Sequence, residues 1–382
     1  MAWVHTSGGC EVARRVQGHA KSNVCVKCER SAATSRARRA RRNDGPRARD
    51  TTNRSDATSG VGLPMTERGI AARPKQSLGQ NFLVDPNMIR QITAAFVDAV
   101  EQAEEVCQDG DSKQSTGRNV VEIGPGFAAL SQLLVRRFPE MLGLEIDQRA
   151  VAHLNEFLPE FNVVRQDVLE TDWKALASER AVGANSGKLY VIGNLPYNII
   201  SQILFSLIES CEAVDFAMLM MQLEVAQRVA APKNSKAYGI LSVMCQLYTE
   251  PKILFQVPPS VFRPKPDVTS AMVILKFRDK CNPRLDQVDP NHLRQVVRES
   301  FQQRRKQLRN SLRLTMSQVG VTELSERWAS RRPQELDPEE FIDLTYDLFG
   351  PVSPDGDTNM TGVWRTKSNK ERSRKEDAAP AL

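Results

Sequence analysis

No run of about 18 apolar residues occurs in the 382-residue sequence, which excludes a membrane-spanning helix. The first residues also lack the apolar segment that a secretory signal needs. Seven cysteines (Cys10, Cys25, Cys28, Cys107, Cys211, Cys245 and Cys281) are an odd, scattered set, so a reduced intracellular compartment fits better than a disulfide scaffold. Cys25-Val-Lys-Cys28 has no second pair at metal spacing, so unpaired thiols are the better reading and no metal site is expected. No G-x-x-x-x-G-K-[ST] loop is present, which argues against a nucleoside triphosphatase of that kind.

What is present is an ordinary globular composition, 41% hydrophobic and 26% charged, enough for about two domains. The net charge of +6 is concentrated in the first 75 residues, in Arg304–Arg313, and from Arg365 to Lys375. Such clusters are compatible with an anionic partner such as RNA, although a single charge run is more often a solvated surface.

Residues 1–72 are rich in Arg, Ser, Ala, Thr and Gly, without apolar period, and are expected to be a disordered basic extension. Their scarcity of acids resembles an organelle transit peptide. A translation start at Met65 is the alternative. From Asn87 to Glu105 apolar residues recur at helical spacing after Asp85-Pro86, and residues 108–118 read as a surface loop. Short apolar strands then alternate with helices: strands at 119–123, 142–146, 162–166, 188–193 and 215–222, with helices between them. That alternation predicts an α/β fold with a parallel sheet covered on both faces. Residues 241–248, 252–257 and 270–277 read as further strands, the last two as an antiparallel edge. Helices are expected over 292–314, 322–330 and 338–348. The expected domains are thus 73–278, a sheet domain, and 279–350, a small helical domain, with a disordered polar tail over 351–382.

In an open parallel sheet, ligands bind beyond the carboxyl ends of the strands. The first strand ends in Gly124-Pro125-Gly126, a turn that lets a ligand approach backbone at a helix N-terminus. Glu145, ending the second about 20 residues later, suits the hydroxyls of a ribose. Asp167 ends the third and can accept from an adenine amino group, and Asn194-Leu195-Pro196-Tyr197 ends the fourth. Each alone also fits a bland role, as a structural turn or helix cap. Together, at one edge of one sheet, they read as a site for an adenosine-bearing cofactor. The turn lacks the third glycine of a dinucleotide fingerprint, which favours S-adenosylmethionine over NAD or ATP. Beside a methyl donor, the Asn194 side-chain oxygen and the Leu195 carbonyl, held extended by Pro196, can each accept one hydrogen of an exocyclic NH2. Tyr197 offers a stacking face. Two such acceptors localise an otherwise delocalised adenine N6 lone pair, so the chemistry needs neither a metal nor a strong base.

Beyond these residues, the motifs LGQNFLVD (78–85), VVEIGPGFAAL (120–130), GLEID (143–147), GNLPYNI (193–199), NSKAYGILSVM (234–244), VPPSVFRPKPDVTSA (257–271) and FQQRRKQLRNSL (301–312) closely resemble the small-subunit ribosomal RNA adenine dimethyltransferases. The resemblance runs from about Pro74 to Phe349. It implies a Rossmann-like, S-adenosylmethionine-dependent sheet with a small C-terminal helical domain. It also implies transfer of two methyl groups to N6 of each of two adjacent adenosines near the 3′ end of small-subunit rRNA, within an immature ribosomal subunit. Carried over by matching positions, Asn81, Leu83, Gly124, Gly126, Glu145, Asp167 and Asn194 bind the cofactor. Asn194, Leu195 and Tyr197 hold the target adenine, with Phe262 near its other face. Arg304, Arg305 and Arg309, expected on one helix with Lys306 and Arg313, grip rRNA phosphates. A monomer, without membrane or metal, is expected. The bacterial-looking spelling GQNFLVD favours a bacterial cytoplasm and the Met65 start over a plastid or mitochondrion. The erythromycin-resistance methylases of large-subunit rRNA, a non-catalytic RNA-binding assembly factor, and a NAD-dependent oxidoreductase are the competing functions.

Overall fold

In the computed structural model, residues 80–107, 116–181, 187–278 and 283–351 are described. The basic extension with its C-x-x-C and Met65, most of the 108–118 loop, and nearly all of the tail lie outside the described residues. After a two-residue strand β1 (Phe82–Leu83), Asp85 accepts from the Met88 amide at 2.8 Å and starts helix α1 (Pro86–Cys107). Its stripe of Ile92, Phe96 and Val100 is fully buried, with Phe96 edge-on to Phe138 and Phe216.

The alternating units follow: β2 (Val120–Ile123), α2 (Ser131–Arg137), β3 (Leu142–Glu145), α3 (Gln148–Phe157), β4 (Asn162–Arg165), α4 (Trp173–Arg180), β5 (Leu189–Asn194), α5 (Ile200–Glu209) and β6 (Val214–Gln222). Asp147 and Asp172 cap α3 and α4 through side-chain oxygens. After α6 (Leu223–Val229) and α7 (Ile240–Tyr248) come β7 (Thr249–Val257), the short β8 (Phe262–Arg263) and β9 (Ser270–Phe277). The main sheet has the order β4-β3-β2-β5-β6-β9-β7, parallel from β4 to β6 and antiparallel at β9 and β7, while β1 pairs with β8 separately. Two apolar layers cover its faces. The sheet is therefore mixed rather than wholly parallel, with the antiparallel edge where the apolar runs placed it.

Two expected elements differ. Residues 241–248 form α7 rather than a strand, because Val243, Met244 and Leu247 bury a helical stripe against α5, α6 and α8 (Pro290–Gln302). A short apolar run cannot distinguish the two by period alone. The helix expected over 292–314 breaks after α8 and resumes as α9 (Leu308–Ser311) and α10 (Arg313–Gln318). The five residues Gln303–Gln307 carry no apolar side chain to bury, and tertiary bonds claim the segment: the Leu308 amide donates to the Arg331 carbonyl at 2.8 Å.

Beyond these, α11 (Glu326–Ala329) is shorter than expected, and α12 (Pro338–Phe349) matches its expected span closely. Leu293, Val297, Trp328 and Phe341 join the same apolar cluster as Val121 and Leu204 of the sheet and α5. Buried Arg294 of α8 also pairs with Glu209 of α5 at 2.9 Å. Cys245 is a free buried thiol, whereas Cys211 is disulfide-bonded, a bond the scattered cysteines did not suggest. No helix among the described residues is long and apolar enough to cross a membrane.

Candidate cofactor and adenine site

The chain runs outward from β2 through β3 to β4, then returns to add β5 and β6 on the other side of β2. A crevice must open where the order reverses, between the ends of β2 and β5. There lies a cavity of about 390 Å³. Asn81, Leu83, Gly124, Gly126, Glu145, Asp167, Asn194, Leu195 and Tyr197 all line it, so residues spread over more than 110 positions converge on one site.

The glycine turn depends on backbone only glycine adopts readily, with φ of +66° at Gly124 and +56° at Gly126. The Gly126 amide donates to Glu145 Oε2 at 2.9 Å and the Asp147 amide to Glu145 Oε1 at 2.8 Å, so one buried carboxylate ties the first strand end to the second. Burial raises the Glu145 carboxyl, and the amides of Asp147 and Gly126 pull it back. Behind the turn, Glu122 accepts from the Ser131 hydroxyl at 2.7 Å, and burial pushes its carboxyl up to about 8. Burial also raises Asp147, but hydrogen bonds from Arg149 and Gln80 outweigh it and hold Asp147 down at about 2. Gln80 thereby ties the β1 strap to the start of α3. Phe82 lies edge-on to Phe127, 5.2 Å between centroids, holding the strap to the glycine turn.

At the end of β5, the spelling of Gly193 through Tyr197 has steric causes. A Cβ on Gly193 would lie 2.9 Å from Leu195 Cδ2 and 3.0 Å from the Ile123 carbonyl oxygen, so no larger residue fits beside Leu195. Leu195 is buried, and the Tyr197 hydroxyl is 2.7 Å from the Ser270 hydroxyl.

Three of the other residues singled out lie differently. Phe262 pairs with Leu83 across β1 and β8, but its side chain is buried and does not line the cavity. Arg304 and Arg305 sit in the turn after α8, not on a helix, and only Arg309 is helical. Arg304 donates to the Ser235 and Lys236 carbonyls at 2.7 and 2.6 Å, while Arg305 and Arg309 are exposed. Glu122, Gln80 and Ser270 escaped the sequence reading. All three sit inside motifs that were recognised, but no local pattern gave Ser270 a role, because only strand pairing brings it near Tyr197.

The residues fit an adenosyl group. A carboxylate has about four acceptor positions, and the amides of Gly126 and Asp147, with that of Ile146 close by, do not use them all, so Glu145 keeps acceptor capacity for a diol. Ile146, 48% exposed, offers an apolar face beside it in the same cavity. Asp167 caps the following turn with Oδ1 only, accepting from Leu169, and its Oδ2 makes no hydrogen bond among the described residues.

The family model for ribosomal RNA adenine dimethylase matches residues 71–341. The chain belongs to that family. A ribosomal RNA small subunit methyltransferase A from Salinibacter ruber is 42% identical over 297 residues, covering 78% of this chain and 91% of that protein. Its namesake from Prosthecochloris aestuarii is 41% identical, covering 66% of this chain and 87% of that protein. A dimethyladenosine transferase from Plasmodium falciparum shares the fold, with a TM-score of 0.51 at 19% identity, over 70% of this chain and 98% of that one. This ribosomal RNA adenine dimethylase is an enzyme whose family uses S-adenosylmethionine as methyl donor.

Proposed function

We propose that this chain methylates N6 of two adjacent adenosines near the 3′ end of small-subunit rRNA, twice each, in an immature subunit, as a monomer in the cytoplasm. The observation that carries the reading is the convergence of the glycine turn, Glu145, Asp167 and Asn194 through Tyr197 on one cavity at the switch point of the sheet. S-adenosylmethionine, when bound, supplies an electrophilic methyl group. Asn81, Leu83 and the backbone at Gly124 and Gly126 hold it, Glu145 accepts from its ribose, and Asp167 accepts from its adenine. The Asn194 side-chain oxygen and the Leu195 carbonyl accept the two N6 hydrogens of the target base, drawing its lone pair out of the ring as positive charge develops on nitrogen. Tyr197 stacks on the extruded base. For Phe262 to reach the base, the β1–β8 pair has to shift, because its side chain is buried here. Residues 279–350 act as an RNA-binding domain, with exposed Arg305 and Arg309 on phosphates and Arg304 holding the 235–236 loop in place.

The test is single-turnover methylation of unmodified small subunits at saturating cofactor. Asn194→Ala removes a preorganised acceptor, a loss of ~3 kcal/mol or about 100-fold in rate. A near wild-type rate would remove Asn194 from the amine site.

A further inference from the structure

Ser270 opens β9 opposite Gln222 of β6 and Val257 of β7, so its backbone is held from both sides. Its side chain is fully buried and shares a strand face with Met272 and Ile274 of the apolar layer. A hydroxyl in such a place is unfavourable unless it is paired. Its partner is the Tyr197 hydroxyl at 2.7 Å, 73 residues away, and this is the only hydrogen bond either hydroxyl makes among the described residues. Tyr197 stands in the turn between β5 and α5, where the ring has only its two side-chain torsions to fix. One end of the side chain is set by the backbone and the other by Ser270, so the ring is held at both ends.

We propose that Ser270 is a positioning residue of the methyl transfer, setting the Tyr197 ring before RNA arrives so that the target adenine meets an ordered stacking face. The inference rests on the reading of Tyr197 as that face. A ring already held needs no ordering when the base is extruded onto it, and preorganisation of this kind favours binding. It also assigns the hydroxyl a role. Bonded to a fully buried serine that does not line the cavity, it orients the ring and is not the acceptor for the N6 proton. Burial raises the Tyr197 phenol, consistent with a neutral hydroxyl throughout.

A double-mutant cycle tests this. Ser270→Ala, Tyr197→Phe, the double variant, Ser270→Thr and Tyr197→Ala are compared by single-turnover methylation over a range of unmodified small-subunit concentrations, with S-adenosylhomocysteine affinity measured calorimetrically. Ser270→Ala and Tyr197→Phe are each expected to weaken productive subunit binding about 3- to 10-fold, the worth of one neutral hydrogen bond. The double variant should be no worse than either single one, Ser270→Thr should retain most of the activity, and cofactor affinity should not change. Multiplicative losses in the double variant, or Ser270→Ala at wild-type rate while Tyr197→Ala is slow, would overturn the positioning role and leave the stacking reading intact. Tyr197→Ala at wild-type rate would overturn both. Should Ser270→Ala fail to fold, Tyr197→Phe alone still decides: without loss of productive binding, the hydroxyl does not position the ring.

Discussion

Replacing Glu145 with glutamine keeps the shape of the side chain and exchanges one carboxylate oxygen for an NH2 group. In the native protein both oxygens accept backbone amides, Gly126 at 2.9 Å and Asp147 at 2.8 Å. In Glu145→Gln one of those N–H groups faces another donor, so a hydrogen bond to a charged group is lost, worth ~1.5–3 kcal/mol. Burial already disfavours the charged form, so removing the charge recovers part of that desolvation and places the net loss near the low end, ~1.5–2 kcal/mol. The acceptor offered to the cofactor ribose is compromised by the same exchange. Losing a charged acceptor for the ribose costs ~1.5–3 kcal/mol of binding in its own right, so S-adenosylhomocysteine should bind about 10- to 100-fold more weakly, while the weakened turn separately lowers the melting temperature. Isothermal titration calorimetry and thermal unfolding measure the two effects separately. A lowered melting temperature with a dissociation constant within about twofold of wild type would refute the ribose role. Glu145 would then only close the turn.

Gly193→Ala forces a Cβ to within 3.0 Å of the Ile123 carbonyl oxygen, a backbone atom that cannot step aside, so a destabilisation of ~1–3 kcal/mol is expected in chemical denaturation, together with lost methylation; unchanged stability and rate would contradict the packing account. Folded Glu122 keeps its proton up to about pH 8, whereas the unfolded carboxyl loses it near 4.5. The folded state binds more protons in that window, so unfolding free energy should fall as pH rises from about 4.5 to 8, by up to about 1.4 kcal/mol per pH unit. Glu122→Gln should flatten that slope, and equal slopes for the two proteins would show that Glu122 is charged in the fold. Arg305→Ala with Arg309→Ala should reduce the salt slope of subunit binding by about one for each phosphate no longer neutralised, without changing cofactor affinity. An unchanged slope in filter binding would leave those side chains as solvated surface. Arg304→Ala, by contrast, should register first as a lower melting temperature, since its guanidinium holds two carbonyls.

The parallel core of the sheet was legible because β2, β3, β5 and β6 are apolar and buried along nearly their whole length, so each announces itself locally, while the edge strand β4 is largely exposed. The β9 strand, Ser270–Phe277, matches its expected span residue for residue. The cavity was legible for a related reason. Topology sends every parallel strand end to one edge, so naming the residues at those ends names most of the cavity wall. Local pattern alone did not resolve α7, where a helical stripe and a buried strand look alike over eight residues, nor the break after α8, which the Leu308 and Arg304 bonds impose from segments distant in the chain. The sequence by itself thus determined the alternating α/β order, the glycine turn and the residues gathered at the strand ends, because backbone preference and hydrophobic period act over a few residues. Only the tertiary structure decided that Phe262 is buried, that Arg304 serves a loop, and that Tyr197 is tied to Ser270, because those partners are separated along the chain and meet only when the strands pair and the helices pack.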